Sequence, residues 1–449
     1  MIIENYLLRM IYKTNPLPKS QLEILVTVPF EEFEPHVKRA AVFLSEEHAI
    51  EGFRRGKASY DIVKQKFGEA VVYERGAELA VRKTYPGILE ELAQKPPPGV
   101  IEFLPLGAPE VTITKLAPGN ELVYKAVVAR MPEIALPDYK AIARDALKEK
   151  REVSITEEEV DKTIEWVRES RAEYFPVRRP AEQGDAVEID FELRADGVKI
   201  ANGDSRNHPL IIGKSRFMPG FEDNLIGMVE NEEKTFSLSV PADWHEKSLA
   251  GKDIGVKVTM RAIKEHHVPE LNDEFACRLG NFATVASLRT SIKDSMAEEK
   301  KEKEKQRMRA LCAERIAEKI DAVLPDVLIE SELDKMFDEL KTGVEDMEMK
   351  WEDYLLHIKK NLQELRSDWR VEAMKRVRIA LVLREIAKRE NIRPSEDEID
   401  GEAHKFLARF KTTEDAKNTI DPARLREYTR GTLRNQKVFE FLEQMADSK

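Results

Sequence analysis

The chain has 449 residues, too many for one ordinary core, so two to four domains are expected. Its formal net charge is −11 with 42% hydrophobic residues, which describes a globular protein and excludes nucleic-acid binding by bulk electrostatics; any such contact must be local. The two cysteines, Cys277 and Cys312, lie far apart without metal-ligand spacing, which argues against a disulfide framework or a zinc site and fits a reducing cytosol.

The first residues, MIIENYLLRMIYK, are apolar only in part, being interrupted by Glu4, Arg9 and Lys13. They lack the basic-then-apolar order and small-residue cleavage site of a secretory signal. No later run approaches the roughly eighteen apolar residues of a membrane span. The expectation is a soluble, cytoplasmic protein with no membrane partner, whose first fifteen or so residues form an unstructured extension.

In QLEILVTVPF (21–30), Leu22, Ile24, Val26 and Val28 alternate as a strand does. A helix over 31–50 follows, with Phe33, Val37, Ala40, Ala41 and Leu44 at helical spacing. Next comes GFRRGKAS at 52–59. A phosphate-binding loop needs four residues between its glycines and then Lys-Ser or Lys-Thr. Here three separate Gly52 from Gly56, and Ala58 stands where the hydroxyl should be. A solvated turn, or a loop pressing Arg and Lys onto nucleic-acid phosphates around Phe53, remain as readings. Further helices are expected from about Tyr60 and over 74–94, stopped by KPPPG at 95–99, then strands at about 110–116 and 121–131. The first domain is therefore α+β, a small antiparallel sheet with helices on it.

MPEIALPDYK (131–140) reads as a proline-punctuated connector. Thr156 and Glu159 form a capping box for a helix with Val160, Ile164 and Val167 on its apolar face. From 184 to 264 the period changes to two: Val187, Ile189, Phe191, Leu193; then Phe236, Leu238, Val240; then Val256, Val258, Met260. Asp196-Gly197 marks a hairpin, and FMPGFEDNLIGM between strands marks a short helix opened by Pro219. This domain is β-rich. Beyond about 266 everything reads as helix. The charge run at 298–309 is a solvated face, and His266-His267 is linker surface rather than a metal site. Pro325, Pro394 and Pro422 divide the helices, with Ser395 and Glu398 as a second capping box. One continuous helix is predicted from about 351 to 390, about 60 Å at 1.5 Å per residue. That length suggests an arm.

The order of these features resembles the bacterial trigger factor family of ribosome-associated chaperones. The motifs carrying the resemblance are GFRRGK, ALPDYKAI (135–142), GDAVEIDFEL, MPGFEDNLIGM, VPELNDEFACRLG (268–280), LPDVLIESELDKM and LREIAKRENIRPSEDEI, spread over nearly the whole chain after about residue 16. The resemblance implies an α+β multidomain protein: a ribosome-binding α+β domain at 16–130, an extended linker at 131–153, an FKBP-like peptidyl-prolyl isomerase domain at 154–265, and a long-helix all-α chaperone domain with two arms at 266–449. It implies no cofactor and no metal. The implied partners are the ribosome, through a large-subunit protein and rRNA near the tunnel exit, and unfolded nascent polypeptides; family members can also form a homodimer when free.

Residue by residue, the resemblance assigns ribosome docking to Gly52, Phe53, Arg54, Arg55, Gly56 and Lys57. It assigns the prolyl site to Phe191, Phe217, Met218, Phe221 and Trp244, with Asp190 and His245 nearby. Client contacts on the helical domain fall to Met336, Phe337, Met347, Met349, Trp351, Tyr354 and Leu355, soft or aromatic residues that suit many partners; packing within the helices is the competing reading. Two departures stand out. Ser45, Glu46, Glu47 and Glu51 surround the docking motif with acid where many members are more basic. Ile200, His208 and Val256 occupy positions that are commonly Phe, so the prolyl pocket is expected to be short of rings and reduced in activity. The alternative function is a ribosome-independent prolyl isomerase or holdase with a degenerate docking loop.

Overall fold

In the computed structural model the described residues are 5–7, 10–195, 198–214, 218–241, 250–408 and 421–447. They fall into two compact units, one made of Met1–Lys150 with Gln306–Lys449 and the other of Arg151–Lys305.

The composite unit opens with strands β1 (Asn5–Leu7), β2 (Met10–Leu17) and β3 (Gln21–Val28). The expected unstructured extension is corrected here. β2 pairs antiparallel with β3 from Ile11↔Thr27 to Leu17↔Gln21, and Tyr12 is buried on the core face opposite Val26. Lys13 follows buried Tyr12 along β2, an alternation that a search for a leader segment does not look for. Helices α1 (Phe30–Glu47), α2 (Tyr60–Phe67) and α3 (Glu69–Gln94) precede β4 (Pro105–Lys115) and β5 (Leu122–Arg130). The sheet order is β1-β2-β3-β5-β4. Leu22, Ile24, Val26 and Val28 of β3 and Leu122, Tyr124, Ala126 and Val128 of β5 form one buried face, packed against Phe33, Val37, Ala77, Ala80 and Ile88 of α1 and α3. The two helices cross closely: a Cβ on Gly76 would meet the Val37 Cα at 2.9 Å, so only glycine fits there. The connector ends in α4 (Tyr139–Leu147), capped by the Asp138 side chain accepting the Ala141 N–H at 3.0 Å.

The second unit begins with α5 (Glu157–Glu169), whose Thr156–Glu159 capping box is formed in both directions. Strands β6 (Glu173–Pro176), β7 (Ala186–Ala195), β8 (Val198–Ile211), β9 (Glu233–Ser239) and β10 (Asp253–His267) make one antiparallel sheet, ordered β6-β10-β7-β8 with β9 also on β10. Ala195 pairs with Val198 across the β7–β8 hairpin; Asp196-Gly197 lies outside the described residues. The expected short helix at Pro219 reduces to turns around a single 3-10 turn, Glu222–Asn224. Gly220 and Gly227, at φ of +80° and +86°, bound that segment, and buried Phe221, Leu225 and Met228 tie it into the core. His266-His267 is not linker surface. The pair ends β10 opposite Tyr174 and Glu173, and the His266 side chain is 3% exposed with its ring stacked on Tyr174 at 5.3 Å. Helices α6 (Asp273–Leu279) and α7 (Val285–Glu318) follow. The charge run is a largely solvated part of α7, except that buried Glu304 accepts the Arg151 N–H at 2.7 Å.

The chain then returns to the composite unit through α8 (Asp326–Asp346), α9 (Trp351–Ile358), α10 (Leu362–Arg389), α11 (Glu396–Leu407) and α12 (Pro422–Asp447). The predicted continuous helix over 351–390 is broken. Lys359 takes a left-handed φ of 54°, and Asn361 with Glu364 forms a full capping box that starts α10. At 28 residues α10 spans about 42 Å rather than 60 Å. Two cores serve these helices. Tyr139, Ala143 and Ala146 of α4 pack with Cys312, Ile316, Val382, Ile386, Val438 and Leu442, and a second cluster joins Ile329, Leu333 and Met336 of α8 to Ala373, Val377 and Leu381 of α10.

Candidate functional sites: the basic loop, the aromatic pocket and the helix tip

The loop at 52–57 connects α1 to α2 and is built from backbone contacts. The Phe53 N–H donates to the Ile50 carbonyl at 3.1 Å, Lys57 N–H to the Arg54 carbonyl at 2.9 Å, and Gly56 N–H to the Ser45 carbonyl at 3.1 Å. Gly52 and Gly56 have φ of +83° and +73°, which other L residues rarely adopt, so the glycines bracket the basic residues because the turn requires them. Buried Ile50 and Ser45 anchor its base. Phe53 is 44% exposed, and Arg54, Arg55 and Lys57 all point to solvent. Among the described residues none of these three cations forms an ion pair within the protein. The loop thus presents three unneutralised cations and one apolar ring on a rigid base. Such a surface suits phosphate or carboxylate partners.

The second site lies on the inner face of the β6–β10 sheet. Phe191 meets Phe221 edge-on at 6.1 Å, Phe221 meets Phe236 at 5.9 Å, and Phe191 meets the His208 ring at 5.4 Å. Phe221 is fully buried and Met218 nearly so, while Phe191, Ile200 and Phe236 are half-buried against the same core. Phe217, Trp244 and His245 lie outside the described residues. Asp190 does not join the cluster. Successive strand residues point to opposite faces, so Asp190 leaves on the outer face while Ile189 and Phe191 point inward. There it accepts from Arg261 at 2.6 and 2.8 Å and from the Asn207 N–H at 2.8 Å, contacts that hold its carboxyl below the usual range. Sequence reasoning missed Phe236, although its alternation with Leu238 and Val240 placed it on a strand. Only the register shows that it stands across from Val256. A separate hollow of about 500 Å³ opens on the outer face, lined by residues including Tyr174, Ala186, Glu188, Pro209, Ile211 and Lys264.

The candidate client residues divide. Met336 is 7% exposed and belongs to the α8–α10 core. Phe337 stacks on Trp369 at 5.0 Å beneath the Arg366 guanidinium. By contrast Met347 is 77% exposed and Met349 is also exposed, next to the half-buried Trp351–Tyr354 stack at 5.7 Å and half-buried Leu355. Leu356, 75% exposed, and Leu362 add to this surface and were not foreseen. They flank the break at Lys359, which no periodicity marks in advance.

A basic loop on an α+β domain, an aromatic cluster on a small antiparallel sheet and exposed apolar side chains near helix ends are together what a chaperone carrying a prolyl isomerase domain would need. Comparison with known proteins agrees. Residues 10–167 match the family model for bacterial trigger factor protein, residues 284–444 the model for its C-terminus, and residues 177–261 that of FKBP-type peptidyl-prolyl cis-trans isomerase. The trigger factor of Caldicellulosiruptor bescii is 34% identical over 86% of this chain and 85% of its own. That of Acetivibrio thermocellus is 29% identical over 97% and 99%. A solved chain of the trigger factor chaperone aligns with 96% of this chain and 99% of its own at 20% identity and a TM-score of 0.47. The chain belongs to the bacterial trigger factor family: it is a ribosome-associated chaperone with an FKBP-type peptidyl-prolyl isomerase domain. Among the described residues no helix is long and apolar enough to cross a membrane.

Proposed function

We propose that the loop at 52–57 is the ribosome contact of this chaperone. Arg54, Arg55 and Lys57 grip rRNA phosphates and an acidic large-subunit protein surface near the tunnel exit, and Phe53 fills an apolar site. The cytoplasm is where this contact is made. The observation that supports the reading is the set of cations left without internal partners on a backbone-locked turn. Ion-pair binding of this kind releases counterions and weakens as salt rises.

Prolyl isomerisation is assigned to the pocket of Phe191, Met218, Phe221 and Phe236. An X–Pro bond crosses a barrier of about 18–20 kcal/mol. No nucleophile is needed: an apolar, ring-lined hollow strips water from the prolyl amide and favours the twisted state over the planar, resonance-stabilised one. Client holding is assigned to Met347, Met349, Leu356 and Leu362, with Trp351, Tyr354 and Leu355 behind them. These side chains come from several helix ends, so they offer scattered apolar contact rather than one deep pocket, as varied unfolded chains require.

Salt-dependent co-sedimentation with vacant ribosomes tests the docking role. The wild type should bind and lose affinity with salt, and the Phe53→Ala/Arg54→Ala/Arg55→Ala variant should not bind. Equal binding by both would refute the loop as the contact, and binding by neither would favour a ribosome-independent prolyl isomerase or holdase.

A further inference from the structure

Two carboxylates end helix α1 beside the docking loop, and their surroundings differ. Glu47 pairs with Arg75 at 2.7 Å, and Arg75 also holds Glu78 at 2.8 Å. Its charge is neutralised on the side facing α3. Glu46 is exposed and has no cation partner among the described residues. Its side chain lies along the loop backbone instead: a Cβ placed on Gly56 would stand 2.8 Å from the Glu46 Cγ and 2.9 Å from its Oε1. Gly56 sits between Arg55 and Lys57, and its N–H is fixed to the Ser45 carbonyl at 3.1 Å. Ser45 is itself buried, with its hydroxyl donating to the Val42 carbonyl at 2.8 Å. The last turn of α1 therefore holds an uncompensated carboxylate against the backbone that carries the two cations.

We infer that Glu46 sets the affinity of the docking loop by repelling the anionic partner that Arg55 and Lys57 receive. This rests on the docking role proposed above. Arg55 and Lys57 flank the Gly56 backbone against which the Glu46 side chain lies, so a phosphate held by either cation approaches a like charge that water and salt screen only over the Debye length, ~8 Å at physiological salt. At low salt, like charges about 8 Å apart in water weaken binding about twofold per phosphate, and physiological salt screens that repulsion further. The arrangement joins attraction and repulsion in one loop. Contact is tight enough to dock and weak enough to release, and the repulsive part is removed by salt together with the attractive part.

The test is ribosome co-sedimentation at low and at high salt with four full-length proteins: wild type, Glu46→Gln, Glu47→Gln and Phe53→Ala/Arg54→Ala/Arg55→Ala. Gln keeps the shape of Glu over Gly56 and removes only the charge. The expected result is that Glu46→Gln binds about twofold tighter than wild type at low salt, that the gain disappears at high salt where screening is short-ranged, and that Glu47→Gln gains less. Binding by Glu46→Gln at or below the wild-type level would overturn the inference and make Glu46 a packing residue of the turn. Equal gains from the two Gln variants would also overturn it, because net charge alone would then explain them. If the triple variant binds like wild type, the docking role itself is lost and the inference falls with it.

Discussion

Phe236 stands directly opposite Val256 in the β9–β10 ladder, and its ring meets Phe221 at 5.9 Å. From the sequence, Val256 reads as a missing aromatic. The register shows a ring supplied from the neighbouring strand instead, with Val256 fully buried beside it.

The first prediction follows from that exchange. Restoring an aromatic by Val256→Phe should overpack a filled site and cost about 1–3 kcal/mol. It should not raise isomerase activity. Pairing it with Phe236→Val should recover most of the loss. Denaturant unfolding of the two variants beside a proline-limited refolding assay checks both parts. A single Val256→Phe variant that is both stable and faster would refute the account of the pocket.

Asp190 should be dispensable for isomerisation. It lies on the outer face and binds Arg261 and the Asn207 N–H. Asp190→Asn is expected to leave kcat/KM for a prolyl peptide within about twofold, since surface ion pairs contribute little. A tenfold loss would put Asp190 back into the chemistry.

Asp185 carries the clearest pH dependence. Burial raises its pKa, but bidentate Arg179 at 2.6 and 3.0 Å and the Glu182 N–H at 2.8 Å outweigh burial and lower it overall. A depressed carboxylate stabilises fully above its unfolded pKa, about 3.9, and loses that contribution as pH falls through the lower folded value. Protection factors at β7, corrected for the intrinsic pH dependence of exchange, should therefore fall below about pH 4 in the wild type, and Asp185→Asn should flatten that acid response. Asp185→Ala should cost about 2–3 kcal/mol at neutral pH, because Arg179 loses its partner.

The helix break should be tunable. Lys359 adopts φ 54°, and Asn361 caps α10 by accepting the Glu364 N–H at 2.9 Å. Lys359→Gly should stabilise the break by up to about 1 kcal/mol, and Asn361→Ala should weaken the first turn of α10 by about 1 kcal/mol. Amide exchange at 362–366 reports both. Unchanged protection in Asn361→Ala would show that the cap is idle.

Met336 and Met347 should separate stability from client holding. Met336→Ala removes a core side chain and should cost about 2–5 kcal/mol. Met347→Ser should leave stability within about 0.5 kcal/mol while weakening suppression of client aggregation. A stability loss at Met347 would mean that its exposed side chain packs after all.

By itself the sequence determined the local terms. The alternation of Leu22 through Val28 and of Val187 through Leu193, the Thr156 and Ser395 capping boxes and the glycine-bracketed turn at 52–57 each depend on neighbours within a few residues, and each formed as read. Tertiary structure decided whatever depends on which face or partner a side chain meets. It carried Asp190 away from the pocket, brought Phe236 into it, buried His266 against Tyr174 and put Met336 into a core. It also separated Glu46 from Glu47, one carboxylate left against the loop and the other neutralised by Arg75, twenty-eight residues further on. The physical reason is range. Hydrogen-bonded caps and side-chain periods are set by adjacent backbone, whereas burial, register and charge compensation are set by contacts between residues far apart in the chain.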